Sequence, residues 1–210
     1  TLLHSSYYTH PATVLDEDPQ VSLVFGASAR MTSDNSLGSV SYPTRFPFYN
    51  SPSKEMWSRL WLKYGFARSY LPELNYCVRM DIFRKLMGPS DVFPELNNID
   101  PILRFHFEFN RLGYLPKYLP ILANFGRTHD SQEQFSDGNK SSMRIYVDTW
   151  KKYRRGIIFG QSKHILRDGQ GKPIKQNQIN RMELLRMLVS ATVQEIMQLI
   201  RWIKHHNEQS

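Results

Sequence analysis

The chain has 210 residues, of which 40% are apolar and 13% aromatic, and its net charge at pH 7 is +8. This length and composition indicate a folded domain with its own core, alone or with a helical extension, and exclude a disordered chain. A single cysteine, Cys77, excludes an internal disulfide and fits a reducing compartment. No run approaches the roughly 18 apolar residues of a membrane span, and no secretory leader opens the sequence. We therefore expect a cytoplasmic protein, with peripheral membrane contact as an open alternative.

The first part of the chain predicts a helix, a strand and a long loop. Residues 7–18 predict the last part of a helix. Three acidic residues and Pro19 mark the end of that helix. Residues 21–25 are apolar and β-branched, which predicts a buried strand. Residues 27–52 are rich in Ser, Gly, Pro and Asn and predict a surface loop whose aromatic side chains dock on a core or line a cleft. Ser53 then caps a predicted helix that carries a tryptophan pair and ends before Gly65.

The middle of the chain predicts a second group of short elements. Residues 74–80 indicate a strand and residues 81–87 a short helix. Asp100 and Pro101 begin the next helix, because aspartate caps free amides and proline at the first helical position loses no hydrogen bond. Gly113 ends that helix, and residues 114–125 supply extended chain.

The last third predicts helices with one break. Residues 141–155 have helical periodicity, residues 156–176 predict a flexible basic connector, and residues 181–206 predict a long amphipathic helix. The expected stripe of that helix consists of Leu184, Leu185, Leu188, Ala191, Ile196, Leu199, Ile200 and Ile203. We therefore divide the chain into a domain over residues 1–138 and a helical extension over residues 139–210.

Basic residues are concentrated between positions 151 and 175, where Asp168 is the only acid. Such a cluster attracts phosphate, whether in nucleic acid, anionic lipid headgroups or a nucleotide-linked substrate. The alternative is a solvated helix face next to a mobile basic loop. The cluster consists of Lys151, Lys152, Arg154, Arg155, Lys163, Arg167, Lys172 and Lys175.

Four segments then follow one another in a fixed order. In one-letter code they read NYCVRMDIFRKLMG at 75–88, NIDP at 98–101, RLGYLP at 111–116 and NFGRTHDS at 124–131. In this order, residues 7–131 resemble the acceptor-side half of a family 2, GT-A-type glycosyltransferase. The resemblance implies an α/β fold with a partial GT-A-like mixed sheet flanked by helices. It also implies inverting transfer of a hexose from a nucleotide-sugar donor to a hydroxyl of a glycan or other acceptor.

Asp100 matches the acidic residue that these enzymes place at the start of a helix beneath the acceptor. There the resemblance implies the general base, which takes the proton of the acceptor hydroxyl. The sequence departs from the family pattern because Ile99 replaces a preceding acid and Gly113 lies about two residues farther on. The alternative is that Asp100 only caps its helix, although capping and catalysis are compatible.

Other predicted site residues follow from the resemblance, and a tryptophan pair follows from its helical spacing. It implies that Arg127 and His129 lie near the donor diphosphate, with His129 as a metal ligand, and that Arg79 belongs to the acceptor site. Trp57 and Trp61, one helical turn apart, are predicted to stack on an acceptor sugar. The alternatives are a surface histidine, a surface or ion-paired arginine, and a tryptophan pair in the core.

The family's first half is missing from the sequence, and with it the nucleotide-binding strands and the Asp-x-Asp motif. The divalent cation, Mn²⁺ or Mg²⁺, is expected to bind mainly through that half. We therefore expect a missing N-terminal half or a partner subunit, and the chain is a fragment, a piece of a split enzyme or a degenerate relative. Two other functions stay open: a non-enzymatic nucleic-acid or anionic-surface binder, and a structural subunit that assembles through residues 181–206.

Overall fold

The computed structural model describes residues 6–31, 36–41, 59, 62, 76–127 and 137–189, together with 193, 196, 197 and 200. The described chain combines helices and strands, which confirms the prediction of an α/β protein. Residues 181–189 and positions 193, 196, 197 and 200 are helical and are called the C-terminal helix. The other elements are α1 (Ser6–Glu17), β1 (Leu23–Met31), β2 (Leu37–Ser41), β3 (Tyr76–Val78), α2 (Met80–Leu86), a 3-10 helix (Pro94–Asn98), α3 (Pro101–Arg111), β4 (Pro116–Arg127), α4 (Asp137–Ile158), β5 (His164–Arg167) and β6 (Pro173–Ile179).

Strand β1 is the centre of a four-stranded mixed sheet. Strand β4 runs parallel to β1, with Leu23 opposite Pro116 and Met31 opposite Arg127. On the other side of β1, β3 pairs antiparallel with its first half and β2 antiparallel with its second half. The first residues of β1 are fully buried, which explains why this part of the sequence is continuously apolar.

Helices cover both faces of this sheet. Leu23 and Phe25 pack with Phe105 and Phe109 of α3, whereas Val24 packs with Leu15 of α1. The alternation follows from the strand geometry, because successive side chains point to opposite faces.

The largest core cluster joins α3, α4, the β5–β6 hairpin and the C-terminal helix. Phe107 of α3 meets Trp150 of α4 edge to face, with 5.2 Å between the ring centroids. The cluster therefore spans both sides of the predicted boundary at residues 138 and 139. Its buried members are Leu62, Phe93, Leu96, Ile99, Leu103, Phe107, Leu115, Tyr146, Trp150, Tyr153, Ile157, Leu166, Ile179 and Leu184.

Most predicted elements are confirmed, with two corrections in the first half. The helix over 7–18, the strand and helix after residue 74, the helix after Asp100 and the extended chain after Gly113 are all present. The loop predicted over residues 27–52 is wrong in part, because β1 continues to Met31 and Leu37–Ser41 forms β2. The predicted helix after Ser53 lies outside the described residues, except that positions 59 and 62 are helical.

The flexible connector predicted over residues 156–176 is wrong. Helix α4 continues to Ile158, and the antiparallel hairpin of β5 and β6 follows. The hairpin turn is closed by Asp168, whose Oδ1 accepts the N–H groups of Gln170 (2.9 Å) and Lys172 (2.8 Å). Gly171 supplies the positive φ of 79° that this turn requires.

Two glycines let this hairpin approach the rest of the fold at backbone distance. Arg167 N–H donates to Gly113 O at 2.7 Å, and Gly169 N–H donates to Pro19 O at 3.0 Å. A Cβ on Gly113 would lie 2.2 Å from Ile165 O, and one on Gly169 would lie 2.4 Å from Pro19 O. Neither position has room for a side chain, so both contacts depend on glycine.

The C-terminal helix has two apolar faces instead of the single stripe predicted from the sequence. Leu184 is buried in the main core, and Met187 and Leu188 pack against that core. The opposite face is exposed, with exposed fractions from 47% at Met197 to 62% at Val189. Within the described part of the chain, no helix is both long and apolar enough to cross a bilayer. The exposed apolar face consists of Met182, Val189, Val193, Ile196, Met197 and Ile200.

We predict that Gly113→Ala lowers the free energy of unfolding by roughly 3 kcal/mol or more, because it combines left-handed strain with a backbone clash. Gly160→Ala is the matched control. Gly160 has a similar φ of 75° but no atom within 4 Å of an added Cβ, so the control should cost only about 1 kcal/mol. Denaturant titration measures both variants. If both variants lost the same free energy of unfolding, this result would contradict the close backbone approach at Gly113.

Candidate functional site

Asp100 lies at the N-terminus of α3 and caps it, as predicted. Its Oδ1 accepts the N–H groups of Ile102 (2.7 Å) and Leu103 (3.3 Å). Pro101 occupies the first helical position, where no donor is needed. The residue is exposed, and its Oδ2 makes no hydrogen bond or ion pair with the described residues. One carboxylate oxygen is therefore fixed by the helix while the other remains available.

Arg79 joins three parts of the backbone. Its guanidinium donates to Val21 O at 2.8 Å and Asp18 O at 3.2 Å, and also to Leu15 O. These carbonyls lie at the end of α1 and the start of β1, where a cation satisfies acceptors that the helix leaves open. Arg79 thus has a structural role that the sequence did not reveal. Its predicted part in acceptor binding stays a prediction.

The remaining predicted site residues are less fully described. Arg127 is the last residue of β4, paired with Met31, and only its backbone position is described. His129, Trp57 and Trp61 lie outside the described residues. No three His, Cys, Asp or Glu side chains converge among the residues that the structure describes. The predicted metal ligation by His129 stays a prediction.

The thiol of Cys77 does not have the environment of a catalytic nucleophile. Burial raises its pKa, which favours the protonated thiol over the reactive thiolate.

A buried polar network stands at the other end of α3. Ser90 Oγ donates to Glu108 Oε1 at 2.6 Å, and the backbone N–H of Phe93 donates to Ser90 Oγ at 3.2 Å. The second carboxylate oxygen, Glu108 Oε2, accepts from Nε of Arg111 at 2.6 Å and lies 2.6 Å from its Nη2. The guanidinium of Arg111 is therefore held in one orientation.

Next to Arg111 lies a cavity of about 160 Å³ between the end of α3, α4 and β5. Three of its lining residues are cations, namely Arg111, Lys163 and Arg167. Tyr153 and Ser162 contribute hydroxyl groups, and none of the lining residues is an acid. The basic segment beyond residue 151 thus meets an arginine from α3.

The wall of this cavity is rigid because Tyr153 and His164 bond to each other. The Tyr153 hydroxyl lies 2.9 Å from His164 Nδ1 and donates to Arg111 O at 3.0 Å. Burial lowers the pKa of His164 to about 3, so the imidazole is neutral at physiological pH. Burial also raises the pKa of Tyr153, which keeps its hydroxyl protonated.

Other members of the basic cluster have different partners. Lys151 lies 3.3 Å from Asp148, and Lys152 lies 3.0 Å from Glu95. The guanidinium of Arg154 lies over the Trp150 ring at 5.8 Å from its centroid. Exposed ion pairs of this kind contribute little to stability, but they offset the charge of the two lysines locally.

No family model, curated protein or solved structure matches the chain. The cavity and the carboxylate of Asp100 therefore have to be interpreted from their own chemistry. Sequence reasoning included Lys163 and Arg167 in a general basic cluster, but it did not connect them with Arg111 or Glu108. Buried and half-buried residues alternate along His164–Arg167 in the fold, but the residue types there do not alternate between apolar and polar, so the sequence carries no local signal for this strand.

Proposed function

We propose that the chain supplies the acceptor site and the general base of a nucleotide-sugar-dependent glycosyltransferase, with Asp100 as the base. The order of the four sequence segments supports this proposal, and so does an α/β fold with a mixed sheet. The observation that carries it is the state of Asp100, an exposed residue whose Oδ1 accepts hydrogen bonds from two backbone N–H groups while its Oδ2 has no hydrogen bond to the described residues.

The proposed reaction is an inverting sugar transfer. The oxygen of the acceptor hydroxyl attacks the anomeric carbon as the bond to the nucleotide diphosphate breaks. Asp100 Oδ2 takes the hydroxyl proton during this attack. The hydrogen bonds from two backbone N–H groups fix Oδ1, and they therefore also fix the direction of Oδ2. A base that is already held in position loses little entropy when the reaction takes place.

The rest of the proposed site is divided between two parts of the enzyme. Arg127 and His129 would lie toward the donor diphosphate, and Trp57, Trp61 and Arg79 would lie toward the acceptor. The nucleotide and the divalent cation would be held mainly by a nucleotide-binding half in the same protein or in a partner subunit.

We predict that Asp100→Asn lowers the rate of sugar transfer by about 10²-fold or more in the protein that contains both halves. Asparagine caps a helix about as well as aspartate, so the free energy of unfolding should stay within about 0.5 kcal/mol. Asp91→Asn, another exposed carboxylate, is the control and should keep full activity. Unchanged turnover in the Asp100→Asn variant would exclude this residue as the base.

A second candidate function, attachment to an anionic membrane surface, is supported by the exposed face of the C-terminal helix. Positions 182, 189, 193, 196 and 200 fall on one side of a helix with 3.6 residues per turn. From Met182 to Ile200 this face is about 27 Å long. An apolar helical face next to cations binds in the interface of anionic bilayers.

The charges beside this face favour a membrane over a second copy of the chain. Arg186 is exposed next to it, and in the sequence Arg201 follows Ile200 directly and Lys204 lies four positions after Ile200. Glu183 is already ion-paired with Arg59. In a two-fold dimer formed through this face, Arg186 of both copies would lie at the interface, whereas anionic lipid headgroups would neutralise its charge.

We predict that a double variant, Ile196→Asp with Ile200→Asp, weakens binding to phosphatidylcholine–phosphatidylserine vesicles by at least about tenfold, because two apolar contacts are lost. Phe159→Asp changes an exposed apolar residue outside the helix and is the control. Vesicle flotation measures both. Equal binding by the double variant and the control would contradict the membrane proposal. If the double variant lost self-association in the absence of vesicles, this result would instead indicate that the C-terminal helix serves assembly.

A further inference from the structure

We propose that the cavity beside Arg111 binds the phosphate group of a phosphomonoester ligand. This site is separate from the proposed base, because the 11 residues of α3 place Asp100 and Arg111 about 16 Å apart along the helix. The proposal does not depend on sugar transfer.

The charge of the cavity favours a dianion. Three cationic side chains line it, and among the described residues Glu108 is the one acid that is ion-paired with them, through Arg111. Two positive charges therefore remain after this pair is counted. A phosphomonoester carries between about −1.5 and −2 at pH 7, which matches this remainder more closely than a single carboxylate does.

The cations keep hydrogen-bond donors for a ligand. Glu108 holds Arg111 through Nε and Nη2, which leaves Nη1 uncommitted among the described residues. Arg167 uses Nη1 for Gly171 O at 3.2 Å. Lys163 is exposed and makes no hydrogen bond or ion pair with the described residues. Two arginines held by hydrogen bonds and one exposed lysine are a set of donors that suits phosphate oxygens.

The C-terminus of α3 would repel an anion if its carbonyl groups were open. Each of its last four carbonyls accepts a hydrogen bond instead. Leu112 N–H donates to Glu108 O, Tyr114 N–H to Phe109 O and Gly113 N–H to Asn110 O. The Tyr153 hydroxyl donates to the last of them, Arg111 O. The helix end therefore presents satisfied acceptors to the cavity.

The dimensions of the cavity favour a single phosphate group over a polymer. Its volume of about 160 Å³ is below the roughly 300 Å³ of the smallest typical ligand pockets. It can hold a phosphate and the start of its ester, with the remainder of the ligand outside. Nucleic acid binds along an extended row of cations, whereas Lys151 and Lys152 have acidic partners in this fold.

The test titrates inorganic phosphate into the purified chain and follows binding by calorimetry. Lys163→Met should weaken the affinity by about tenfold or more, the loss expected for one charge-assisted hydrogen bond. Lys172→Met is the matched control, because this lysine is exposed on the same hairpin but does not line the cavity. It should leave the affinity unchanged. Thermal unfolding should show that both variants keep the wild-type fold.

Equal weakening by the two lysine variants would show a diffuse electrostatic effect and overturn the proposal. So would the absence of phosphate binding, or binding only to an oligonucleotide with equal dependence on both lysines. Arg111→Lys gives a second, independent reading, since it retains the charge but loses the oriented fork. It should weaken phosphate binding as well.

The phosphate could belong to a soluble metabolite or to a lipid headgroup. Phosphatidylcholine vesicles with and without phosphatidic acid distinguish these sources. If Lys163→Met lowers binding to phosphatidic acid vesicles and free phosphate competes with them, the ligand is a lipid. If phosphate binding depends on Lys163 while vesicle binding does not, the ligand is soluble.

Discussion

The close backbone contacts at Gly113 and Gly169 position the β5–β6 hairpin, and much of the described fold depends on them. One contact places the hairpin against the turn between α3 and β4, and the other places it against the chain entering β1. Arg79 binds carbonyls in the same region, so α1, β1 and the hairpin meet around one guanidinium. The hairpin also brings His164 to Tyr153 of α4. The hairpin, a segment with few apolar residues, thus connects the sheet with the helical layer.

Helix α3 presents different chemistry at its two ends. Its N-terminus holds the carboxylate of Asp100 through two amides, and its C-terminus holds the guanidinium of Arg111 beside the Glu108 network. Both ends are rigid because the middle of the helix is buried, with Phe105 and Phe107 packed in different clusters. A proton acceptor and an anion site can therefore exist on one element without sharing a ligand. An enzyme built on this helix would combine catalysis at one end with phosphate recognition at the other.

Local signals in the sequence predicted α3 correctly, whereas the hairpin and the cavity depend on contacts that local signals do not encode. Asp100 and Gly113 predict the ends of the helix because capping and positive φ act within a few residues. The hairpin strands are short and basic, so composition indicated a connector. Only the docked fold shows that Gly169 lacks room for a side chain. Likewise, Arg111 and Lys163 are far apart in the sequence, and only the tertiary structure brings them to the same cavity.

Native-state hydrogen exchange tests most directly whether the hairpin is an integral part of this fold. The amides of Arg167 and Gly169 donate to Gly113 O and Pro19 O across the docking contacts. If the hairpin is an integral part of the fold, these two amides exchange only through global unfolding, with the same free energy as the amides of β1. Exchange of the hairpin amides at a clearly lower free energy than those of β1 would show independent opening and contradict the account.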